Sequence, residues 1–234
     1  DQNETKELEL LDTMLGKQVD GIVMMSDHVT DKIASAIRQS PVPVVLAGSI
    51  INDSSIPSVN IDYFQAAMDA IQLFINKGHK EIAFVSGPLE YTINGEHKLG
   101  AYKQALQQAN IEINEQLIDA TDGTYDEALL SWESFVQKAH VPTAIFAGSD
   151  EIALGVIHAI QDAGKRVPED VEVISFENSK LARMIRPQLT SVALPLYDIG
   201  AVSMRLLTKL LNKEEVPDKN VILPYRIETI KSTK

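Results

Sequence analysis

Short apolar runs alternate along this chain with longer segments in which apolar residues recur every three or four positions. Val141–Ala147 and Val171–Phe176 are two such runs, and each is typical of a parallel strand that is covered on both faces. The segment between them has the helical spacing, and Gly164 provides its end; its apolar positions are Ile152, Val156, Ile157 and Ile160. The pattern predicts a strand, a helix and a second strand.

The same alternation continues over the whole chain. It predicts strands at 19–25, 44–47, 58–61, 82–85, 115–120, 189–194, 220–223 and 226–230. It predicts helices at 5–17, 30–39, 62–77, 125–139 and 195–212, and a further helix through Leu99, Tyr102 and Leu106. Regular alternation of this kind indicates an α/β fold with parallel sheets flanked by helices.

Polar residues follow several of the predicted strands directly. Ser26 follows the first strand, Ser149 and Asp150 follow the run ending at Ala147, and Glu177 and Asn178 follow Phe176. Open α/β sheets bind ligands at the carboxyl ends of their strands, so these residues predict a binding cleft. The alternative is that they only cap helices and form turns, which the same residue types also do.

Composition narrows the function. The formal net charge is −12 and no Lys/Arg cluster is present, so we do not expect this segment itself to contact DNA. The chain has no cysteine, and no apolar run approaches the roughly 18 residues that span a membrane. The five histidines are scattered, and the motifs of nucleotide-binding loops, serine hydrolases and zinc proteases are missing. We therefore expect no metal site, no cofactor and no enzymatic activity.

Several stretches in the same order resemble the LacI/GalR transcription regulators. They are GHK before IAFVSGP, then TAIFAGSDEIALGVIHAIQDAG, VPEDVEVISFEN and RPQLTSVALPLYDIGAVSMRLL. The resemblance implies two Rossmann-like subdomains of the type I periplasmic-binding-protein fold, joined by three crossover connections. It assigns residues 1–61 with 193–223 to one subdomain and 62–192 with 224–234 to the other. Closure about such connections is how this fold responds to a ligand.

The resemblance also implies roles for cleft residues. Ser26, Ser149, Asp150, Glu177 and Asn178 stand where relatives hydrogen-bond an effector, and Tyr125 aligns with an aromatic residue that stacks on sugar. Packing at the start of a helix is the alternative for Tyr125. Sugar-responsive relatives have an arginine where this chain has Lys98. Lysine lacks the planar fork of arginine donors, so a tight pocket for a neutral sugar is not expected.

The predicted helix 195–212 has two distinct faces at 100° per residue. One face is apolar and comprises Leu196, Ile199, Val202, Leu206, Leu207 and Leu210. The other groups Tyr197, Asp198, Arg205 and Lys209. An ordinary solvated face explains the second group, but so does a docking face for an anionic partner, because arginine binds phosphate with two hydrogen bonds.

The resemblance favours the docking face over an ordinary solvated face. It is closest to the LacI/GalR members that control carbon catabolism, through PLYDIGAVSMRLLTKLLN, LPYRIE and the terminal STK. It implies that Tyr197, Asp198, Arg205, Lys209 and Arg226 contact the phosphocarrier HPr phosphorylated on a serine. A small phosphorylated sugar is a second implied ligand.

We therefore expect the effector-binding and dimerising core of a cytoplasmic regulator. The resemblance implies a homodimer that contacts DNA through a domain not present in this chain. Because the chain begins on a helix, it is expected to lack that domain and the first part of the core. The alternatives are a repressor core that binds a small carbohydrate in the cleft and an exported sugar-binding protein.

Overall fold

The computed structural model describes residues 4–234 and has the predicted α/β architecture, which confirms the fold class. The predicted first subdomain begins at residue 1, so its first three positions lie outside the described residues. The helices are α1 (Glu4–Gly16), α2 (Asp31–Gln39), α3 (Tyr63–Asn76), α4 (Gly100–Gln108), α5 (Tyr125–Gln137), α6 (Asp150–Asp162), α7 (Lys180–Met184) and α8 (Leu196–Leu211). The strands are β1 (Ile22–Met24), β2 (Val44–Ala47), β3 (Ser58–Ile61), β4 (Ile82–Ser86), β5 (Ile118–Ala120), β6 (Ala144–Ala147), β7 (Glu172–Glu177), β8 (Thr190–Ala193), β9 (Asn220–Leu223) and β10 (Arg226–Glu228).

The contacts divide the chain into two compact units. The first unit comprises the described residues up to Asp62 together with Pro195–Pro224, and the second comprises Tyr63–Leu194 with Tyr225–Lys234. The first contains a parallel sheet of order β1-β2-β3-β9. The second contains a sheet of order β10-β8-β7-β6-β4-β5, parallel except for the pairing of β10 with β8.

Helices cover both faces of the sheet in the first unit. Successive side chains of a strand point to opposite faces. Val44 and Leu46 of β2 therefore pack with α2, through residues such as Ile33. Val45 and Ala47 point the other way and pack with α8, through Ile199, Leu206 and Leu207. This is why β2 is a continuous apolar run, and it leaves only the outer side of α8 available to solvent.

The second unit is built on the same principle but has chemically different faces. On one face, Ala83, Val85, Ile145 and Ala147 pack against α5 and α6, with Trp132 in the same cluster. On the other face the strands carry aromatic rings. Phe84 stacks on Phe146 and contacts Tyr102 of α4, and Phe146 contacts Phe176; their ring centroids are 5.7, 5.4 and 6.2 Å apart.

The C-terminal residues close the amino-terminal ends of β7 and β8. The buried Ser232 hydroxyl accepts a hydrogen bond from the Thr190 amide at 2.8 Å and donates to the Val173 carbonyl at 2.6 Å. Glu172, at the start of β7, is almost fully buried and forms an ion pair with Lys77 at 2.8 Å. The opposite, carboxyl ends of these strands carry the predicted site residues.

The structure corrects several predicted elements. The first strand is limited to Ile22–Met24, because Gln18 has a positive φ of 58° and turns the chain after α1. Residues 115–120 begin as a 3-10 turn, Glu115–Leu117, before the short β5. A π-helical segment, Ile93–Leu99, precedes α4, and the one-turn helix α7 was not predicted.

We predict opposite effects of two glycine-to-alanine changes in the second unit. In Gly155→Ala the new Cβ would lie 2.6 Å from the Tyr125 carbonyl oxygen and 2.8 Å from the Ala128 Cβ. The resulting overpacking of α5 against α6 should lower the free energy of unfolding by about 1–3 kcal/mol. In Gly100→Ala the Cβ meets only the Phe64 ring at 3.5 Å, so helix propensity should make the change neutral or stabilising by up to about 1 kcal/mol.

Denaturant unfolding followed by Trp132 fluorescence measures both variants, because this single tryptophan lies in the core of the second unit. Equal stability of Gly155→Ala and the parent chain would show that α5 and α6 are not in close contact at this point.

Candidate functional site

The outer side of α8 combines an apolar stripe with charged residues. Ile199, Leu206 and Leu207 are buried against the sheet, and the predicted group Tyr197, Asp198, Arg205 and Lys209 is exposed. At 100° per residue, the exposed residues Tyr197, Ala201, Met204, Thr208 and Leu211 form one stripe, and Asp198, Arg205 and Lys209 lie along its side. We call these residues together the α8 surface.

Not all of the predicted apolar face of this helix is buried. Leu196 is 52% exposed. It is the first residue of α8, and the buried face begins only at Ile199, so the first turn lies outside the packed part of the helix.

The two cations of the α8 surface are among the basic residues that no carboxylate neutralises within the described part of the chain. Within residues 4–234 the side chains of Arg205 and Lys209 form no ion pair. By contrast, Arg38 pairs with Asp53 at 2.6 Å and Lys103 pairs with Glu115 at 2.8 Å. In a chain of net charge −12, two unpaired cations beside an exposed apolar stripe are suited to an anionic partner.

Arg226, predicted to act with the α8 surface, belongs to the other unit. It begins β10 and its side chain is 72% exposed. Its guanidinium donates to Glu228 Oε1 through Nε at 2.9 Å and through Nη2 at 2.5 Å. The structure therefore places four of the predicted docking residues on one helix and the fifth on a strand of the second unit.

Four of the predicted cleft residues lie at the carboxyl ends of β6 and β7 in the second unit. Ser149 is the N-cap of α6, where its hydroxyl accepts a hydrogen bond from the Ile152 amide at 3.1 Å. Glu177 and Asn178 follow one another with positive φ values of 119° and 57°, a conformation that side chains rarely adopt. Backbone strain of this kind is found preferentially at functional sites.

Asp150 is the residue that holds this arrangement together. It is only 1% exposed, and its carboxylate accepts hydrogen bonds from the Ser175 hydroxyl and the Ser179 amide, both at 2.6 Å. The Ser191 hydroxyl lies 3.4 Å from Oδ1, and the same serine accepts from the Asn178 amide at 3.0 Å. The carboxylate thus connects α6, β7, α7 and β8. Its role here is to hold the carboxyl ends of these strands together.

Lys98 is buried in the π-helical segment and is 6% exposed. Its ammonium donates to the Gly148 carbonyl at 2.8 Å and to Asn94 Oδ1 at 3.3 Å, and it lies 4.6 Å from the centre of the Phe176 ring. Lys98 therefore brings a cation to the same strand ends that carry Ser149 and Glu177.

Tyr125 and Ser26 are both engaged within their own units. The Tyr125 hydroxyl is 2.9 Å from His158 Nδ1 and its amide donates to Glu151 at 3.0 Å, which favours its packing role between α5 and α6. In the first unit, Ser26 donates through its hydroxyl to Glu7 and through its amide to Ser49, each at 2.8 Å.

Sequence reasoning missed Asn60, Ser86 and Glu228. Asn60 Oδ1, at the end of β3, and Ser86 Oγ, at the end of β4, are buried atoms without a hydrogen-bond partner among the described residues, as is Oδ1 of the predicted residue Asn178. Their only sequence signal is a polar residue near the end of an apolar run. No sequence pattern indicated Glu228, which binds Arg226. Its position beside Ser191 depends on the pairing of β10 with β8.

A cavity of about 730 Å³ lies elsewhere in the second unit, between the end of α4, the following loop and His140. None of the predicted site residues lines it. Over residues 4–234, no group of three or more His, Asp or Glu side chains could hold a metal ion, and no helix is long and apolar enough to cross a membrane.

Comparison with known proteins gives one consistent family. Residues 71–233 match the family described as periplasmic binding protein-like domain. Catabolite control protein A of Priestia megaterium is 55% identical over all 234 residues, which cover 70% of that protein. The structure of the transcription regulator CcpA of Lactococcus lactis has a TM-score of 0.91 at 41% identity, and the match covers 99% of this chain and 85% of that one.

A more distant structure places the chain in a wider group. The sugar-binding transcriptional regulator of the LacI family from Escherichia coli, complexed with phosphate, has a TM-score of 0.84 at 27% identity, with 97% of this chain and 82% of that chain covered. The resemblance inferred from the sequence motifs is confirmed by these matches.

We predict that Asp150 controls the order of the turn at Glu177 and Asn178. Asp150→Ala removes the acceptor of the Ser179 amide, so hydrogen exchange at that amide should become much faster and the free energy of unfolding should fall by about 1–3 kcal/mol.

Ser232→Ala is the matched control, because it removes a buried hydroxyl at the opposite ends of β7 and β8. It should also destabilise the unit but leave exchange at Ser179 unchanged. Equal loss of protection at Ser179 in both variants would mean that Asp150 supports the whole unit and not this turn in particular.

Proposed function

Because the chain belongs to the periplasmic binding protein-like domain family, in the form found in LacI-type transcription regulators, we propose that it is the corepressor-binding core of a regulator of carbon catabolite control. Its corepressor would be HPr phosphorylated on a serine. Its relatives are transcription regulators, so a regulatory role is supported.

The observation that carries this proposal is the pair of unpaired cations on the α8 surface. Arg205 and Lys209 are one helical turn apart, and their side chains form no ion pair within the described part of the chain. A phosphoserine carries nearly two negative charges and three acceptor oxygens at neutral pH. A guanidinium can donate two parallel hydrogen bonds to it, while the ammonium adds a further charge.

The apolar stripe of the α8 surface favours a protein over a free phosphate compound. Tyr197 is 86% exposed and Met204 is 54% exposed. Binding a small anion does not require such large exposed apolar side chains. Aromatic residues and methionine are enriched at protein interfaces, where their burial contributes much of the binding energy. A partner that places an apolar patch beside its phosphoserine fits this combination.

A second ligand is supported by Lys98. Its buried ammonium lies at the strand ends that carry Ser149, Glu177 and Asn178, so this part of the second unit favours a ligand with an anionic group, such as a small phosphorylated sugar. In the competing proposal a small carbohydrate in the cleft is the main signal, as the description of the Escherichia coli relative as sugar-binding suggests for that protein.

Further parts of the proposal follow from the family. The two units described above would be the two subdomains. We expect a homodimer in the cytoplasm that contacts DNA through a part of the protein outside these residues. The net charge of −12 supports the last point, because a surface of this charge repels phosphate backbones.

We predict that Arg205→Ala weakens binding of serine-phosphorylated HPr about tenfold or more, the equivalent of one lost charge-assisted hydrogen bond. Calorimetric titration of the intact regulator with both forms of HPr measures the effect. Unmodified HPr should bind far more weakly, and the substitution should change its binding little, because it lacks the phosphate that Arg205 would contact.

Arg166→Ala is the control, since it removes an exposed arginine that pairs with Asp170 in the second unit. It should leave the affinity unchanged. If both forms of HPr bind equally, or neither binds while glucose or cellobiose does, the corepressor proposal is wrong and the sugar-responsive regulator takes its place.

A further inference from the structure

Arg226, one of the proposed corepressor contacts, is already bound to an internal carboxylate. Its Nε and Nη2 both donate to Glu228 Oε1, at 2.9 and 2.5 Å. The two residues are separated by one position on β10, so their side chains project from the same face of the strand. The contact uses two of the five guanidinium donors, including the fork with which arginine binds a phosphate.

Glu228 is connected through β8 to the turn at the end of β7. Glu228 lies opposite Ser191 in the antiparallel pairing of β10 with β8, and Ser191 accepts a hydrogen bond from the Asn178 amide at 3.0 Å. The guanidinium of Arg226, with the Asn178 side chain as a smaller influence, keeps the pKa of Glu228 below its usual value.

These contacts give Glu228 a specific role, which rests on the proposed docking of a phosphorylated protein. We propose that Glu228 is an autoinhibitory residue that competes with the partner's phosphoserine for Arg226. A phosphoserine must displace the carboxylate before it can use the Arg226 fork. Glu228 thus lowers the affinity of the free regulator for its phosphorylated partner.

The competition is weak enough to be reversible. Arg226 is 72% exposed and the Glu228 side chain is 24% exposed, so solvent screens their attraction. Exposed pairs of this kind are displaced easily, whereas a doubly charged phosphate with three oxygens offers arginine more than a single carboxylate oxygen does. Removing the internal competitor should therefore raise the partner's affinity about two- to fivefold and not by orders of magnitude.

The experiment is a calorimetric double-mutant cycle on the intact regulator with serine-phosphorylated HPr. Glu228→Gln keeps the shape of the side chain and removes its charge, and it should tighten binding about two- to fivefold. Arg226→Ala should weaken binding. In the double variant the gain from Glu228→Gln should disappear, because the competitor no longer has a guanidinium to occupy.

Asp170→Asn is the matched control for net charge. It removes one negative charge from another exposed arginine pair in the same unit, Arg166 with Asp170, and should leave the affinity unchanged. An equal gain in Asp170→Asn would attribute the effect to the overall charge of the chain and overturn the proposal. Weaker binding in Glu228→Gln would also overturn it, since Glu228 would then be orienting Arg226 for the partner.

A measurement without the partner separates this inference from the proposed function. An NMR pH titration of the Glu228 carboxyl should give a higher pKa in Arg226→Ala than in the parent chain, because the guanidinium stabilises the charged form. An unchanged pKa would mean that the internal contact does not form, whatever HPr does. A raised pKa together with unchanged HPr affinity in Arg226→Ala would retain the contact but remove Arg226 from the docking surface.

Discussion

Helices cover both faces of the two sheets, and this burial limits where polar chemistry can occur. Side chains in the middle of β2, β4, β6 and β7 are enclosed between helices, so they are apolar apart from a few small hydroxyls. Polar groups can reach a ligand only at the strand ends or on the outer side of a helix. The two candidate sites of this chain occupy these two kinds of position.

At the strand ends of the second unit, buried polar groups support one another. Asp150 accepts from Ser175 and Ser179, and Lys98 donates to the Gly148 carbonyl, so a carboxylate and an ammonium each stabilise the ends of several strands. A buried charge is tolerated only when hydrogen bonds replace its water. These groups therefore stabilise the strand ends. Polar atoms without a partner among the described residues, such as Asn178 Oδ1, are the ones that a ligand could contact.

Some exposed arginines and lysines of this acidic chain are neutralised by a neighbouring carboxylate and others are not. Arg166 pairs with Asp170, whereas Arg205 and Lys209 form no ion pair among the described residues. Arg226 is intermediate, because its pairing with Glu228 is short but exposed to solvent. A regulator that binds only the phosphorylated form of a protein needs accessible cations whose attraction is too weak to bind the unmodified form. Partial neutralisation of a cation by an internal carboxylate is one way to weaken this attraction.

The sequence by itself determined the fold class and the positions of the long elements. Apolar runs and helical spacing depend on local geometry, so β2, β3, α6 and the exposed group on α8 follow from the order of residues alone. The family also followed from the sequence, through ordered motifs. The local pattern was least informative where contacts with other elements determine the structure. Examples are the π-helical segment, the exposure of Leu196 and the packing of Tyr125. Only the tertiary structure showed that Asp150 is an internal connector and that β10, with Arg226 and Glu228, lies beside β8, because these contacts join residues that are distant in the chain.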